Sequence, residues 1–99
     1  MAVHAPFNPR AGNNKVLTPA ASSASVSIDK DAKALRLVNS GANICHVRIG
    51  EGTQTATTAD TPVLSGESLI VTKSLHADTL AHISASGTTL HVQAGEGGI

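Results

Sequence analysis

Residues 34–50 of this 99-residue chain read ALRLVNSGANICHVRIG, and this stretch decides the fold class. Two runs of aliphatic residues alternating with polar ones flank a cluster of turn formers at residues 39–43. The pattern predicts two β-strands joined by a tight connection, that is, a β-hairpin. A three-residue loop places Leu37 opposite Cys45, whereas a loop of two residues would mix apolar and polar side chains on both faces.

The two faces of the predicted hairpin differ in polarity. The face expected to point into a core carries Leu35, Leu37, Cys45, Val47 and Ile49. The opposite face is mixed and carries Arg36, Val38, Ile44, His46 and Arg48. Antiparallel sheets that bury one face and solvate the other show this alternation, so the stretch indicates such a sheet.

Similar short runs, separated by turn residues, occupy most of the remaining chain. Further strands are predicted at residues 16–18, 25–28, 62–64 and 67–73. Val26 and Ile28 are expected to point inward from one of them, and Leu69 and Val71 from another. Residues 53–61 contain no large apolar side chain and predict a long exposed loop. Seven or eight short antiparallel strands predict an all-β, single-domain sandwich or jelly roll.

A second hairpin is predicted around Ser86-Gly87, because two turn residues separate the strand-like runs at 79–85 and 88–93. This register places Ile83 and Ala81 on the core face. It also sets His82 opposite His91 on the outer face. Protonation of both would bring like charges together, so the pair is a candidate for a pH-sensitive subunit contact.

The composition is neutral, weakly charged and nearly free of aromatic residues. Seven Lys and Arg balance seven Asp and Glu, charged residues make up 14%, and Phe7 is the single aromatic residue. Nucleic-acid binding needs a basic patch or stacking rings, and neither is present. Sugar binding on Trp or Tyr is disfavoured for the same reason. A surface of this kind loses little side-chain entropy when a partner covers it, so it indicates a protein that assembles.

The sequence has no arrangement of residues typical of a catalytic or metal-binding site. Cys45 and His46 are adjacent on a strand, so they point to opposite faces and form no nucleophilic dyad. His82 and His91, even with His46, lack the further ligands and second shell of a zinc site. We therefore expect no enzyme, no metal, no cofactor and no small-molecule substrate.

The two ends of the chain differ from its centre in composition. Residues 1–15 contain Pro6 and Pro9, which disfavour a helix and predict an extended N-terminal arm. Residues 16–94 are expected to form the sandwich domain, and the Gly-rich residues 95–99 a flexible tail. No apolar run is typical of a signal peptide or long enough to cross a bilayer, so we expect folding in a cytosol and no membrane partner.

Several segments of the chain carry a family resemblance through turn and strand signatures. They are LTPAASSASV at 17–26, LRLVNSGAN at 35–43, VRIG at 47–50, TATTADTPVL at 55–64, GE at 66–67 and GEG at 95–97. From about Val16 onward, the chain resembles small structural proteins encoded among the head genes of tailed bacteriophages. The resemblance implies an all-β virion component, and several small proteins of this kind are cement (decoration) proteins on capsid shells.

The resemblance and the composition together lead to one expected function. We expect a capsid cement protein, assembled in the host cytoplasm and located on the virion, whose partners are the major capsid protein and other copies of itself in a dimer or trimer. The expected anchor is the arm and the strand that follows it: Val3, Phe7, Arg10, Val16 and Leu17. The alternatives are a neck or tail component of the virion and a small host-facing binding module.

Overall fold

The computed structural model describes residues 8–74 and 76–96, with side chains from residue 14 onward. These residues form eight strands and no helix. The strands are β1 (Asn8–Leu17), β2 (Ala24–Ser27), β3 (Ala34–Asn39), β4 (Cys45–Gly50), β5 (Thr61–Val63), β6 (Ser68–Thr72), β7 (Thr79–Ile83) and β8 (Leu90–Glu96). The prediction of an all-β chain with seven or eight short strands is confirmed.

The strands form two four-stranded antiparallel sheets. The first sheet has the order β1-β8-β3-β6, and the second sheet has the order β2-β7-β4-β5. The first strand pairs with the last, the second with the seventh, the third with the sixth and the fourth with the fifth. The chain is therefore doubled on itself and rolled into two layers, which is the eight-stranded jelly roll.

Both predicted hairpins are wrong in their pairing. β3 lies in the first sheet and β4 in the second, so the turn at residues 40–44 crosses between the layers. The turn at Ser86-Gly87 likewise joins β7 in the second sheet to β8 in the first. Strands adjacent in sequence are often neighbours in a sheet, but in this fold only β4 and β5 are. The turn residues therefore marked correct chain reversals but did not determine which strands pair.

The predicted core face of residues 34–50 is nevertheless confirmed. Leu35, Leu37 and Cys45 are fully buried, Val47 is nearly so, and Ile49 packs against the same cluster. Side-chain alternation belongs to each strand separately, so it survives when the strand changes partner. Each buried leucine contributes about 1.5–3 kcal/mol through its removal from water.

The other core predictions divide by strand. Ile28 is buried and Val26 packs against the core, as do Leu69 and Val71, so those strands were assigned correctly. The predicted core face of Thr79–Ile83 is wrong: Leu80 belongs to the core cluster and Ile83 does not, although the predicted Ala81 is also fully buried. Apolar residues occur on both faces of this strand, so alternation alone does not show which face points into the core.

The boundaries assigned to the arm and tail do not follow the strands. β1 begins at Asn8 and pairs with β8 through Asn8 with Glu96 and Pro9 with Gly95, before an irregularity that ends at Asn14. Residues 8–15, expected in a separate arm, therefore extend an edge strand, where proline is tolerated. Gly95 and Glu96, expected in the tail, belong to β8. Residues 1–7 and 97–99 lie outside the described part of the chain.

Candidate functional site: an apolar end of the sandwich

Asn39, at the end of β3, joins three crossovers at one end of the sandwich. Its amide Nδ2 donates to the carbonyl oxygens of Asn43, at 2.7 Å, and Val63, at 3.0 Å. Its Oδ1 accepts from the Gly41 N–H, at 3.1 Å, and from the Thr88 hydroxyl, at 2.7 Å. The side chain is fully buried, and its hydrogen-bonding capacity is used at every side.

Neighbouring contacts hold the same end together. A Cβ on Gly41 would overlap the Thr88 hydroxyl and approach the Thr89 backbone nitrogen to 2.7 Å, so glycine is required for this close approach. Asn43 Nδ2 donates to the Gly87 carbonyl at 2.8 Å, and Ser65 Oγ donates to the Gly41 carbonyl at 2.8 Å. These bonds make the end of the sandwich a rigid platform rather than a set of independent loops.

Three large apolar side chains are exposed toward this end of the sandwich, each on a different strand or strand end. Val16 is 64% exposed, Leu64 53% and Ile44 41%. Ile44 immediately precedes β4, and Leu64 immediately follows β5. Val16 is next to Leu17, the last residue of β1. Leu17 pairs with Leu90, which also pairs with Asn39. We call these three side chains the apolar end. Rigidly held apolar groups in water are a feature of protein interaction sites.

The predicted anchor residues have different environments. Val16 is the most exposed large apolar residue in the described chain, whereas Leu17 packs against the core. Adjacent strand residues point to opposite faces, so only one of the two is available to a partner. Val3 and Phe7 lie outside the described residues, and of Arg10 only the backbone, in β1, is described. Alternation predicts the outward face of Ile44 but not the exposure of Leu64, because exposure at a strand end depends on the fold.

The predicted cross-strand pair of His82 and His91 is wrong. His82 lies on β7 opposite Ala24 and Val47 in the second sheet, and His91 lies on β8 opposite Val16 and Val38 in the first. The pairing was inferred from a hairpin that does not form.

His82 points between the sheets rather than outward. Residues directly opposite across antiparallel strands share a face, and Val47, opposite His82, belongs to the core. His82 is 6% exposed, and its Nδ1 has no hydrogen-bond partner among the described residues. Burial lowers the pKa of this imidazole below its usual value, because the charged form is poorly solvated there.

His91 has the outward position that was expected of it, but with a different neighbour. Its Nε2 lies 3.1 Å from Ser40 Oγ, in the crossover that leaves β3. Val16 and Val38 flank it on the adjacent strands. His91 therefore borders the apolar end at the outer face of the first sheet.

Arg36 occupies the same outer face. Its Nε donates to Ser68 Oγ and its Nη1 to Gln93 Oε1, both at 3.2 Å, so the guanidinium is held across three strands. Both partners are neutral, and no ion pair involving Arg36 occurs within the described residues. The outer face of the first sheet therefore presents a positioned positive charge.

The single cysteine lies in the core of the sandwich. Cys45 is fully buried, burial raises the pKa of its thiol, and the neutral thiol is a poor nucleophile. Within residues 8–74 and 76–96, no group of three or more His, Cys, Asp or Glu side chains is placed to hold a metal ion.

The opposite end of the sandwich is organised by a partly exposed carboxylate. Asp78 Oδ1 accepts from the Gly52 N–H and the Thr79 hydroxyl, both at 3.1 Å, and these bonds lower the pKa of Asp78. Beside it lies an open hollow of about 320 Å³. It is lined by Ser25, Val26, Ser27, Gly52, Thr53 and Thr79. The lining has no charged or aromatic side chain, which gives no basis for assigning a ligand.

Comparisons with known proteins leave the chain without an assigned family. No protein-family model matches it, and a search of curated proteins returns no significant match. The described residues contain no helix long and apolar enough to cross a membrane.

Proposed function

We propose that this protein is a bacteriophage capsid decoration (cement) protein, which binds and stabilises the head shell through contacts with the major capsid protein and with other copies of itself. The observation that carries the proposal is the apolar end: Val16, Ile44 and Leu64 stand exposed toward the end of the sandwich where Asn39 joins three crossovers. Apolar side chains held on ordered strand ends lose little entropy on binding, so covering them is favourable.

The composition supports the same proposal. The chain has no net charge and only 14% charged residues, so little charge must be desolvated when its surface is covered. Its bulk of Ala, Ser, Thr and Gly places few long side chains at an interface. A protein that acts by covering seams between shell subunits needs such a surface and needs no reactive centre. Repeated copies on a symmetric shell add up individually weak contacts.

The apolar end is tested by placing a charge on it. Val16→Asp, Ile44→Asp and Leu64→Asp are each expected to lower the occupancy of the protein on purified heads at least ten-fold, because an unpaired carboxylate would be buried at the contact. Occupancy is measured by quantitative gel of decorated particles. The matched control is Thr53→Asp, which adds the same charge at the exposed opposite end. Equal occupancy of all four variants would contradict the proposed docking surface.

The N-terminal residues are tested separately. If Val3 and Phe7 anchor the protein across a seam, deletion of residues 1–7 leaves β1 and the fold intact but reduces binding to heads. Circular dichroism and thermal unfolding monitor the fold, and co-sedimentation with heads monitors binding. A shortened protein that sediments with heads at full occupancy would remove these residues from the proposed interface.

The rival location is the neck or tail of the virion. Copy number separates the two, because a shell protein is present in hundreds of copies and a neck or tail protein in a handful. Quantitative mass spectrometry of purified particles, with the major capsid protein as internal reference, gives this number. Absence from the particles would reject both structural roles and leave the host-facing binding module, which a glycan array tests directly.

A further inference from the structure

β6 is an edge strand with an apolar centre. It pairs with β3 on one side, and no other described strand lies on its second side. Leu69, Ile70 and Val71 are all partly exposed at this edge. An edge that is flat, apolar and free of proline is a template for pairing with another strand.

The backbone of β6 alternates between the two sides. The Lys73 N–H donates to the Lys33 carbonyl, at 3.1 Å, and the Glu67 carbonyl accepts from the Asn39 N–H, at 3.0 Å. Antiparallel pairs exchange hydrogen bonds at every second residue, so 67, 69, 71 and 73 bond to β3. Ser68, Ile70 and Thr72 consequently turn their N–H and C=O groups toward the second side. Within the described residues, no chain segment bonds to these groups.

The sequence of β6 is complementary to itself when two copies run antiparallel about Ile70. In that register Ile70 faces Ile70 of the second copy, Ser68 faces Thr72 and Leu69 faces Val71. Ser68, Ile70 and Thr72 are the residues with outward backbone groups, so the register also satisfies all of their hydrogen bonds. Leu69 and Val71 lie on the core side and meet as apolar cross-strand pairs.

The charges that flank the strand follow the same symmetry. In this register Glu67 of each copy stands opposite Lys73 of the other. Glu67 Oε1 is held near the edge by the Leu64 N–H, at 3.0 Å. Lys73 Nζ is held at the other end by the carbonyls of Lys30, at 2.8 Å, and Ala77, at 2.9 Å. Opposite charges therefore meet at both ends of the pair, and like charges meet at neither.

We propose that β6 is the dimer interface of this protein: two copies pair antiparallel about Ile70 and join their first sheets into one eight-stranded sheet. The other edges suit this less well. β5 has three residues and contains Pro62, β2 has four residues, and β1 contains Pro9 and an irregularity. The pairing does not rest on the virion role. If the protein binds a capsid shell, the dimer presents two apolar ends at once, which raises their effective concentration at the shell.

The first test measures mass in solution. Multi-angle light scattering of the full chain at about 100 µM is expected to give a concentration-dependent dimer, since an edge pair of this size is a moderate interface. Ile70→Pro removes an outward N–H and no bond to β3, so the variant should fold and remain monomeric. Ile70→Thr is the matched control, because it keeps the N–H and should still dimerise. A monomeric native chain, or a dimeric Ile70→Pro variant, would overturn the proposal.

The second test fixes the register by exchanging charges. Glu67→Lys and Lys73→Glu each place like charges opposite each other twice in a homodimer, and each should raise the dimer Kd about ten-fold or more. A mixture of the two variants restores both attractive pairs, so the heterodimer should form with nearly native Kd. Damage within one chain would not be repaired by mixing. Failure of the mixture to dimerise while the native chain does would reject the Glu67–Lys73 register.

Discussion

Asn39 and His82 are both polar side chains buried between the sheets, but only one of them is paired. Asn39 makes four hydrogen bonds of 2.7–3.1 Å, to three different crossovers. His82 has an Nδ1 without a partner among the described residues. A buried polar group stabilises a fold when its bonds are made and costs free energy when they are not. The Asn39 region is therefore expected to specify the fold, and the His82 region to limit its stability.

The largest expected effect follows removal of the Asn39 amide. Asn39→Ala leaves the Val63 carbonyl, the Gly41 N–H and the Thr88 hydroxyl without their partner, and should lower the free energy of unfolding by about 3–4 kcal/mol. Urea denaturation measures it. The matched control is Asn43→Ala, which removes one partly buried bond to Gly87 and should cost about 1 kcal/mol. Equal losses in the two variants would show that burial of the Asn39 network contributes little.

A smaller loss is expected when the platform around Asn39 is forced apart. Gly41→Ala places a Cβ against Thr88 and the Thr89 backbone, and should cost about 2–3 kcal/mol. The comparison at the opposite end is Gly52→Ala: Gly52 has φ 73° and open space around it, so only backbone strain of about 1 kcal/mol is expected. Thermal unfolding of the two variants measures the difference. A larger cost for Gly52→Ala would contradict the close-packed character of the Asn39 end.

The His82 region should show its effect through pH. The pKa of His82 is lowered in the folded state, so the unfolded chain binds more protons near pH 6. Stability is therefore fully present above the unfolded pKa of about 6.5 and falls as the pH drops below it. His82→Leu removes the orphan Nδ1 and should be within about 1 kcal/mol of the native protein at pH 8.

The decisive measurement compares pH 8 with pH 5. The native protein should lose more unfolding free energy between these pH values than His82→Leu loses. Urea denaturation of both proteins at both pH values gives the difference. An identical loss in the two proteins would mean that His82 does not titrate on unfolding in this range.

The smallest effect on stability is expected at Asp78, at the end of the sandwich away from Asn39. The pKa of Asp78 is lowered by the Gly52 N–H and the Thr79 hydroxyl, so its contribution is present above the unfolded pKa of about 3.9 and is lost as the pH falls below it. Asp78→Asn should leave the melting temperature at pH 7 nearly unchanged, because the group is accessible to water. Scanning calorimetry at pH 7 and pH 3 tests this. A large drop in the melting temperature of Asp78→Asn at pH 7 would contradict this expectation and would show that Asp78 stabilises the fold as strongly as Asn39.

The sequence was informative where one strand could be interpreted alone. Leu35, Leu37, Cys45 and Val47 were correctly assigned to the core, because alternation needs no knowledge of the partner strand. The core face of β7 could not be predicted in this way, because Leu80, Ala81 and Ile83 put apolar side chains on both of its faces. Alternation also predicted the outward face of Ile44, but the exposure of Leu64 just beyond β5 left no signal in the sequence. Residue type alone does not show whether a leucine is buried or exposed.

By itself the sequence determined that the chain forms many short strands around one modest core, with a neutral and weakly charged surface. Turn residues and side-chain alternation are local properties, so they determine chain reversals and strand faces whichever strands pair. Only the tertiary structure decided that β3 and β4 belong to different sheets, that His82 and His91 lie apart, and that Asn39 joins three crossovers. Strand pairing is a competition among all strands for partners, and that choice is settled by the packing of the whole chain.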